Sequence, residues 1–150
     1  MLKISFLGDS ITEGGIASFY NRSFVPLVEK DLPCIAYNFG ISGTKIARHK
    51  PMSDDRSVLE MVNRVDKIYK DSDFVVILAG VNDYWLSQVP LGKTTDRRDD
   101  TFTGAVNLLC ERLLKRFGKD KLLFILPLPK MDEGPLRSGI TNATLEDYRK

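Results

Sequence analysis

Apolar residues in this chain occur in short continuous runs separated by segments in which they return every three or four positions. Four runs rich in β-forming residues predict strands, and each stops at or near a glycine or proline. They span residues 3–7, 35–39, 74–78 and 122–126. The third run has no polar alternation, which is typical of a strand buried on both faces of a parallel sheet.

Helical spacing marks three segments that lie after the first, second and third of these strands. They cover residues 18–32, 54–69 and 102–117, and their apolar residues fall on one side of a helix. The segment from Tyr84 to Thr101 is polar and aperiodic, and we expect it to be a loop beside the carboxyl ends of the strands. The alternation predicts one α/β domain over residues 1–150, a three-layer α/β/α sandwich with a central, mainly parallel sheet.

The composition of the chain agrees with a globular domain. Hydrophobic residues make up 43% of the 150 positions and charged residues 28%, with a formal net charge of +2, and both fractions are near the averages for folded proteins. No segment concentrates enough Lys and Arg to follow a phosphate backbone, so we expect no nucleic-acid partner. The sequence shows no membrane span and no secretory leader pattern, so a cytoplasmic location without a membrane partner is expected.

The residues that usually hold metals and cofactors are sparse. Cys34 and Cys110 lie far apart, and His49 is the only histidine, so a metal site built from Cys and His is not expected. The two thiols are interpreted as small buried hydrophobic groups, with a disulfide left open. The Gly92-Lys93-Thr94 sequence is like the end of a phosphate-binding loop, but Ser87 replaces its first glycine and no helical pattern follows. We therefore expect no cofactor.

Short polar sequences follow three of the predicted strands. They are Gly8-Asp9-Ser10, Gly40-Ile41-Ser42-Gly43 and Gly80-Val81-Asn82-Asp83. The carboxyl ends of parallel strands lie side by side, so Ser10, Gly43 and Asn82 are expected to surround one small volume. A hydroxyl nucleophile with N–H donors from Ser10, Gly43 and the Asn82 amide is the combination that acyl transfer requires.

These blocks resemble those of the SGNH, or GDSL, hydrolases in order and in spacing, and the likeness extends over essentially the whole chain. The first block is the stretch from Phe6 to Gly14, and the glycine and asparagine of the next two map to Gly43 and Asn82. The resemblance implies a flavodoxin-like fold and a serine esterase or acylhydrolase with Ser10 as nucleophile. It also implies a small-molecule ester substrate, with a lean towards small acyl groups and acylated carbohydrates.

The final block of that family, an Asp-x-x-His that supplies the catalytic base, has no counterpart in this sequence. We therefore expect the C-terminal part of the domain to be missing, which leaves a sheet edge uncovered and favours association into a homo-oligomer. A serine without an imidazole is a poor nucleophile, so an inactive remnant or binding module is the alternative function. His49 is a weak candidate for the base because its neighbours indicate a solvated loop.

Each site residue also has a simpler interpretation. Ser10 can cap the helix that follows it, and Asn82 can be a turn residue with a left-handed or Asx conformation. Gly43 can be required only for its positive φ, which is compatible with a role as an oxyanion donor. The charged residues from Arg97 to Asp100 are expected to form a solvated surface loop rather than a binding site.

Overall fold

The fold is built on a sheet of four parallel strands, as the sequence predicts. The computed structural model describes residues 1–15, 23–48, 59–86, 89–129, 131–134 and 143–150. Its strands are β1 (Leu2–Gly8), β2 (Cys34–Gly40), β3 (Phe74–Leu78) and β4 (Leu122–Ile125). They are ordered β2-β1-β3-β4, and each observed boundary lies within one residue of the predicted one.

The strand register brings the three polar blocks to the same edge of the sheet. Gly8 at the end of β1 pairs with Gly40 on β2 and with Leu78 on β3. Each of the polar blocks therefore begins at or just after the same level of the sheet. This register places the three blocks at the carboxyl ends of neighbouring strands, where α/β proteins usually have their sites.

Core residues lie on both faces of the sheet, which confirms the three-layer arrangement. On one face, Val75 and Ile77 pack with Leu109 and Leu113 of helix α4 (Phe102–Phe117). On the opposite face the packed residues include Val25 of helix α2 (Phe24–Asp31). Alternate side chains of a strand point to opposite faces, so β3 contributes to both layers.

The helix predicted over residues 102–117 is confirmed over its whole length. The Thr101 hydroxyl caps its start by accepting from the Gly104 N–H at 3.2 Å, and Gly118 is the residue at its C-terminal cap. Helix α2 is shorter than the predicted 18–32, because it begins at Phe24 and ends at Asp31. Residues 16–22, in the first part of that prediction, lie outside the described residues.

The helix predicted over residues 54–69 is wrong in its described part. Two single 3₁₀ turns, Met61–Asn63 and Val65–Lys67, take its place. Arg64 between them has φ −107° and ψ 2°, which is not helical. The polar side chains of Glu60 and Arg64 are themselves buried, so the segment has no continuous solvent face of the kind an amphipathic helix needs.

The loop predicted from Tyr84 to Thr101 is wrong at its start. Tyr84 belongs to a short helix, α3 (Val81–Leu86), and is 1% exposed. Its ring packs against Tyr148 and its hydroxyl donates to the Gly134 carbonyl at 2.6 Å. The polar composition of this segment predicted a surface loop, but the Tyr84 ring packs its first residue into the core. Residues 89–101 contain no helix or strand, as expected.

Two further expectations concern single side chains. Cys34 is buried, Cys110 is half-buried, and neither forms a disulfide. His49, the candidate base, lies outside the described residues. None of the described helices is long and apolar enough to cross a membrane.

Candidate active site

Ser10 is the first residue of a one-turn helix, α1 (Ser10–Glu13), that starts where β1 ends. Asp9, not Ser10, caps this helix, because the Asp9 Oδ1 accepts from the Ile11 N–H at 2.9 Å. The simpler interpretation of Ser10 as the capping residue is therefore wrong. Its side chain is half-buried, and neither its hydroxyl nor its N–H bonds to any described residue. Both groups are available to a ligand.

Gly43 lies in the turn after β2, with φ +75°. The positive φ that the sequence led us to expect is confirmed, and it favours glycine because other residues are strained there. No atom lies within 4 Å of the position that a Cβ would take. The Gly43 N–H has no acceptor among the described residues, so this turn presents an unused donor beside open space.

Asn82 lies in the first turn of α3, and Gly80 before it takes the positive φ. The interpretation of Asn82 as a left-handed turn residue is therefore wrong. Its Nδ2 donates to the Thr44 carbonyl at 2.9 Å. A side-chain amide carries two hydrogens, and the second has no acceptor in the described part of the chain. One hydrogen fixes the amide against the Gly43 turn, and the other is free for a ligand.

Direct hydrogen bonds connect the block around Ser10 with the turn around Gly43. The Ile41 N–H donates to the Gly8 carbonyl at 3.1 Å, and Glu13 Oε2 accepts from the Ser42 N–H at 2.9 Å. Helix α1 also passes so close to β2 that a Cβ on Gly40 would lie 2.1 Å from the Glu13 nitrogen. The two blocks thus form one packed unit.

Arg64 is a buried cation beneath these strand ends. Its guanidinium donates to the Phe39 carbonyl at 2.6 Å, to the Gly8 carbonyl at 3.0 Å and to the Thr44 Oγ1 at 3.1 Å. The residue is 6% exposed. One side chain therefore bonds to the end of the Ser10 strand, to the end of β2 and to the Gly43 turn.

Two buried carboxylates hold the chain that follows Gly43. Asp83 is fully buried and accepts from the Ile46 N–H at 2.9 Å and the Ala47 N–H at 3.0 Å. Glu60 accepts from the Lys45 N–H and pairs with the Lys45 ammonium at 3.0 Å. The backbone from 44 to 47 is consequently held by side chains of Asn82, Asp83 and Glu60, and Arg64 holds the Thr44 hydroxyl.

Burial shifts the ionisation of these groups. It lowers the pKa of Arg64 to about 10, so the guanidinium is still cationic at neutral pH. Burial raises the pKa of Asp9, against the lowering effect of its bond from the Ile11 N–H and of nearby Arg64. Burial likewise raises the pKa of Asp83 to about 6, although its two backbone hydrogen bonds oppose the shift.

A small apolar cavity lies next to Ser10. It encloses about 180 Å³ between Asp9 and Ile11 on one side and Ala79 and Val81 on the other, and Pro127–Pro129 complete its wall. A larger cavity of about 540 Å³ lies between α4 and β4. No group of three or more metal-ligating side chains occurs among the described residues.

The burial of Arg64 and Asp83 and the Lys45–Glu60 pair could not be predicted from the sequence. Arg64 and Glu60 lie in the segment predicted to be an amphipathic helix, on whose polar face charged residues are normally solvated. In the sequence, Asp83 is only the last residue of its block. Its position does give a clue to its role, since a carboxylate directly beside Asn82 at a strand end is well placed to accept hydrogen bonds from backbone N–H groups.

The chain is a three-layer α/β protein with a parallel sheet, and a serine, a glycine turn and an asparagine lie at the carboxyl ends of its strands. The family model described as GDSL-like lipase/acylhydrolase matches residues 6–150. The chain belongs to this family. A search of curated proteins found no match.

Solved structures agree with this assignment. A protein from Lactobacillus plantarum is 29% identical, with a TM-score of 0.71 over 98% of this chain and 68% of its own. Another crystal structure is 28% identical, with a TM-score of 0.79 over 97% of this chain and 68% of its own. A carbohydrate acetylesterase from Sinorhizobium meliloti shares the fold at 16% identity, with a TM-score of 0.64 over 99% and 74% of the two chains.

Proposed function

We propose that this chain carries the nucleophile and the oxyanion hole of a serine esterase that hydrolyses small-molecule esters. Ser10 is the nucleophile, and the donors to the oxyanion are the Ser10 N–H, the Gly43 N–H and the second hydrogen of the Asn82 amide. The proposal applies to this chain the chemistry of the acylhydrolase family to which it belongs.

The observation that carries the proposal is a contrast in hydrogen bonding at the strand ends. Other polar groups at this edge are hydrogen-bonded within the protein, as in the bonds of Asn82 to the Thr44 carbonyl and of Asp83 to the Ile46 and Ala47 N–H groups. Asp9 Oδ2 and Thr12 Oγ1 are exceptions, since both are buried without a partner among the described residues. The Ser10 hydroxyl and the three proposed donors are not bonded to any described residue. Hydrogen-bond donors that are unpaired and held in place by a rigid environment stabilise a developing oxyanion.

In the proposed reaction the Ser10 Oγ attacks the ester carbonyl carbon, and the carbonyl π electrons move to oxygen. The hydroxyl proton passes to a base, and the three N–H groups bind the resulting oxyanion. Collapse of the tetrahedral intermediate breaks the bond to the alcohol, which leaves with a proton. Water then adds to the acyl-serine, and a second collapse releases the carboxylic acid and restores Ser10.

The base is the part of this chemistry that the described residues do not supply. The sequence has one histidine, His49, and no Asp-x-x-His. The chain spans 68% of the length of the two most similar structures reported above. In this proposal the imidazole comes from a source other than residues 1–150, and added imidazole can take its place in an assay.

The cavity beside Ser10 supports a short acyl group. Its walls are mainly apolar, its volume is about 180 Å³, and it is lined by Asp9 and Ile11, the residues on either side of Ser10, which favours a short acyl group. Short-chain esters, acetylated carbohydrates among them, are the substrate class we propose.

The test is hydrolysis of p-nitrophenyl acetate by this chain and by Ser10→Ala, each with and without imidazole. The rate in Ser10→Ala measures hydrolysis by free imidazole, and subtracting it leaves the Ser10-dependent rate. We expect that rate to rise with imidazole and to fall when octanoate replaces acetate. Equal rates for the two proteins at every imidazole concentration would contradict the proposal.

The absence of an Asp-x-x-His block favours a second candidate, a non-catalytic module that keeps the pocket and binds esters without turnover. This candidate predicts saturable binding of a short-chain ester, seen in NMR titrations, together with no Ser10-dependent rate even in imidazole. The esterase proposal predicts both the binding and the rate.

A further inference from the structure

The buried guanidinium of Arg64 lies where the nucleophile strand and the oxyanion turn meet. Its three acceptors belong to β1, to the end of β2 and to the Gly43 turn. These elements also contact one another through the Ile41 N–H and the Gly8 carbonyl.

We propose that Arg64 is a positioning residue that fixes the Gly43 N–H relative to the Ser10 Oγ. Arg64 acts through the Gly8 carbonyl, two residues before Ser10, and through the Thr44 hydroxyl, one residue after Gly43. This inference rests on the proposed function, since it concerns the same oxyanion hole.

The shape of the guanidinium explains why arginine suits this position. Its planar fork carries five N–H donors in fixed directions, so one side chain can bond to three acceptors at a set spacing. A lysine ammonium keeps the charge but not the fork. The position is also 6% exposed, so water has little access to replace a lost bond.

Arg116 offers a matched control. It is also partly buried and also donates to a backbone carbonyl, that of Ile68 at 2.9 Å. Its contacts lie at the far end of α4, away from the strand ends. A general effect of replacing a partly buried arginine will appear in both variants, whereas a positioning effect will appear only at Arg64.

The experiment uses ethylboronic acid, which mimics the tetrahedral intermediate. A bond forms between the Ser10 Oγ and boron, the hydroxyl proton passes to the buffer, and one boronate oxygen occupies the oxyanion hole. NMR titration measures Kd for the unchanged chain and for Arg64→Lys, Arg116→Lys and Ser10→Ala. The spectra confirm that each variant is folded, and lowered stability alone does not change the Kd of a fully folded protein.

We expect Arg64→Lys to weaken boronate binding by about tenfold or more, since small displacements of catalytic groups carry large effects. Arg116→Lys is expected to bind within about twofold of the unchanged chain. If Arg64→Lys does not fold, Thr44→Val removes one acceptor of Arg64, together with the bond of the Thr44 hydroxyl to the Ile41 carbonyl at 2.7 Å. Thr44→Val is expected to weaken binding in the same direction, and Thr44→Ser, which keeps the hydroxyl, is expected to bind like the unchanged chain. Equal Kd values for the unchanged chain and for the folded Arg64→Lys or Thr44→Val variant would overturn the role of Arg64.

Failure of the proposed function would give a different set of Kd values from failure of the Arg64 role. If the unchanged chain binds the boronate no better than Ser10→Ala, the oxyanion hole itself is refuted and the role of Arg64 is refuted with it. If binding depends on Ser10 but not on Arg64, only the positioning role is overturned.

Discussion

The carboxyl ends of the strands and the β4 edge of the sheet differ sharply in which side chains are exposed to solvent. At the carboxyl ends of β1, β2 and β3, charged side chains are buried and bonded, with Arg64 6% and Asp83 0% exposed. At β4, apolar side chains are open to solvent, with Leu123 55% and Phe124 40% exposed. Burying the charged groups of the first region carries a desolvation penalty, and their hydrogen bonds make this region rigid. The second leaves apolar surface and an unpaired strand edge among the described residues.

We propose that the first region carries the function and that the second is open to a partner. Buried hydrogen-bonded polar groups make their surroundings rigid, which suits a site that must keep donors in place. Exposed apolar strands favour association. We therefore expect substitutions at the first region to change chemistry or stability, and substitutions at β4 to change assembly.

The largest effect on the hydrolysis rate is expected at Asn82, which connects helix α3 to the turn after β2. Asn82→Ala removes a proposed oxyanion donor and the bond to the Thr44 carbonyl. The Ser10-dependent hydrolysis of p-nitrophenyl acetate in imidazole should fall by about 10²-fold or more.

Asn107→Ala is the control, because that amide also donates to backbone carbonyls but lies outside the site. A similar loss in the two variants would show that Asn82 has no special relation to the oxyanion.

Asp83 is expected to give the largest change in stability. Asp83→Ala leaves the buried Ile46 and Ala47 N–H groups without their acceptor, which should lower the free energy of unfolding by about 3 to 4 kcal/mol. Urea unfolding measures the change. Asp132→Ala, at an exposed acceptor of the Gly134 N–H, should change it by less than about 1 kcal/mol. Equal losses of unfolding free energy in the two variants would contradict the difference we expect between a buried and an exposed carboxylate.

The same carboxylate predicts a pH dependence. An unfolded chain releases the Asp83 proton near the ordinary pKa of 3.8, whereas burial raises the folded pKa to about 6. The folded state binds more protons between these values, so the contribution of Asp83 to the free energy of unfolding falls as pH rises through this window.

The measurement is the difference in unfolding free energy between the unchanged chain and Asp83→Asn at several pH values. It should fall by at most about 3 kcal/mol from about pH 4 to about pH 6 and then stay level. A difference that rises over this range would contradict the raised pKa.

The smallest change in stability is expected at the β4 edge. Leu123→Lys places a charge on an exposed edge residue, so it should reduce association in size-exclusion chromatography. The free energy of unfolding should change by no more than about 0.5 kcal/mol. Leu114→Lys, on the exposed face of α4 at 46%, serves as the control. A chain that is monomeric at all concentrations would show that β4 does not drive association.

The parts of this fold that could be predicted from sequence are those whose pattern is local. The strands and helix α4 have continuous runs or a clear 3.6-residue period, and their boundaries agree with the structure. Ser10, Gly43 and Asn82 were nominated because their blocks follow strands in a recognisable order. Their positions relative to the strand register agree with that reasoning, and their catalytic roles remain predictions.

The parts that could not be predicted depend on contacts distant in sequence. Arg64 reaches acceptors 20 to 56 residues away, and no local period shows that a charged side chain will be buried. The apolar residues from Met61 to Ile68 suit a helix face equally well, so the 3₁₀ turns were not distinguishable. Tyr84 looked like part of a polar loop because its partners, Gly134 and Tyr148, lie far along the chain.

The central claim is that Ser10 is a nucleophile, and the most direct test is to look for the acyl-serine. The chain is treated with p-nitrophenyl acetate in imidazole and digested, and the peptides are analysed by mass spectrometry. The account predicts an acetyl group on the peptide containing Ser10, and on Ser10 itself after fragmentation, with none at that position in Ser10→Ala. Acetyl groups only on lysines or on other hydroxyls, with Ser10 unmodified, would contradict it.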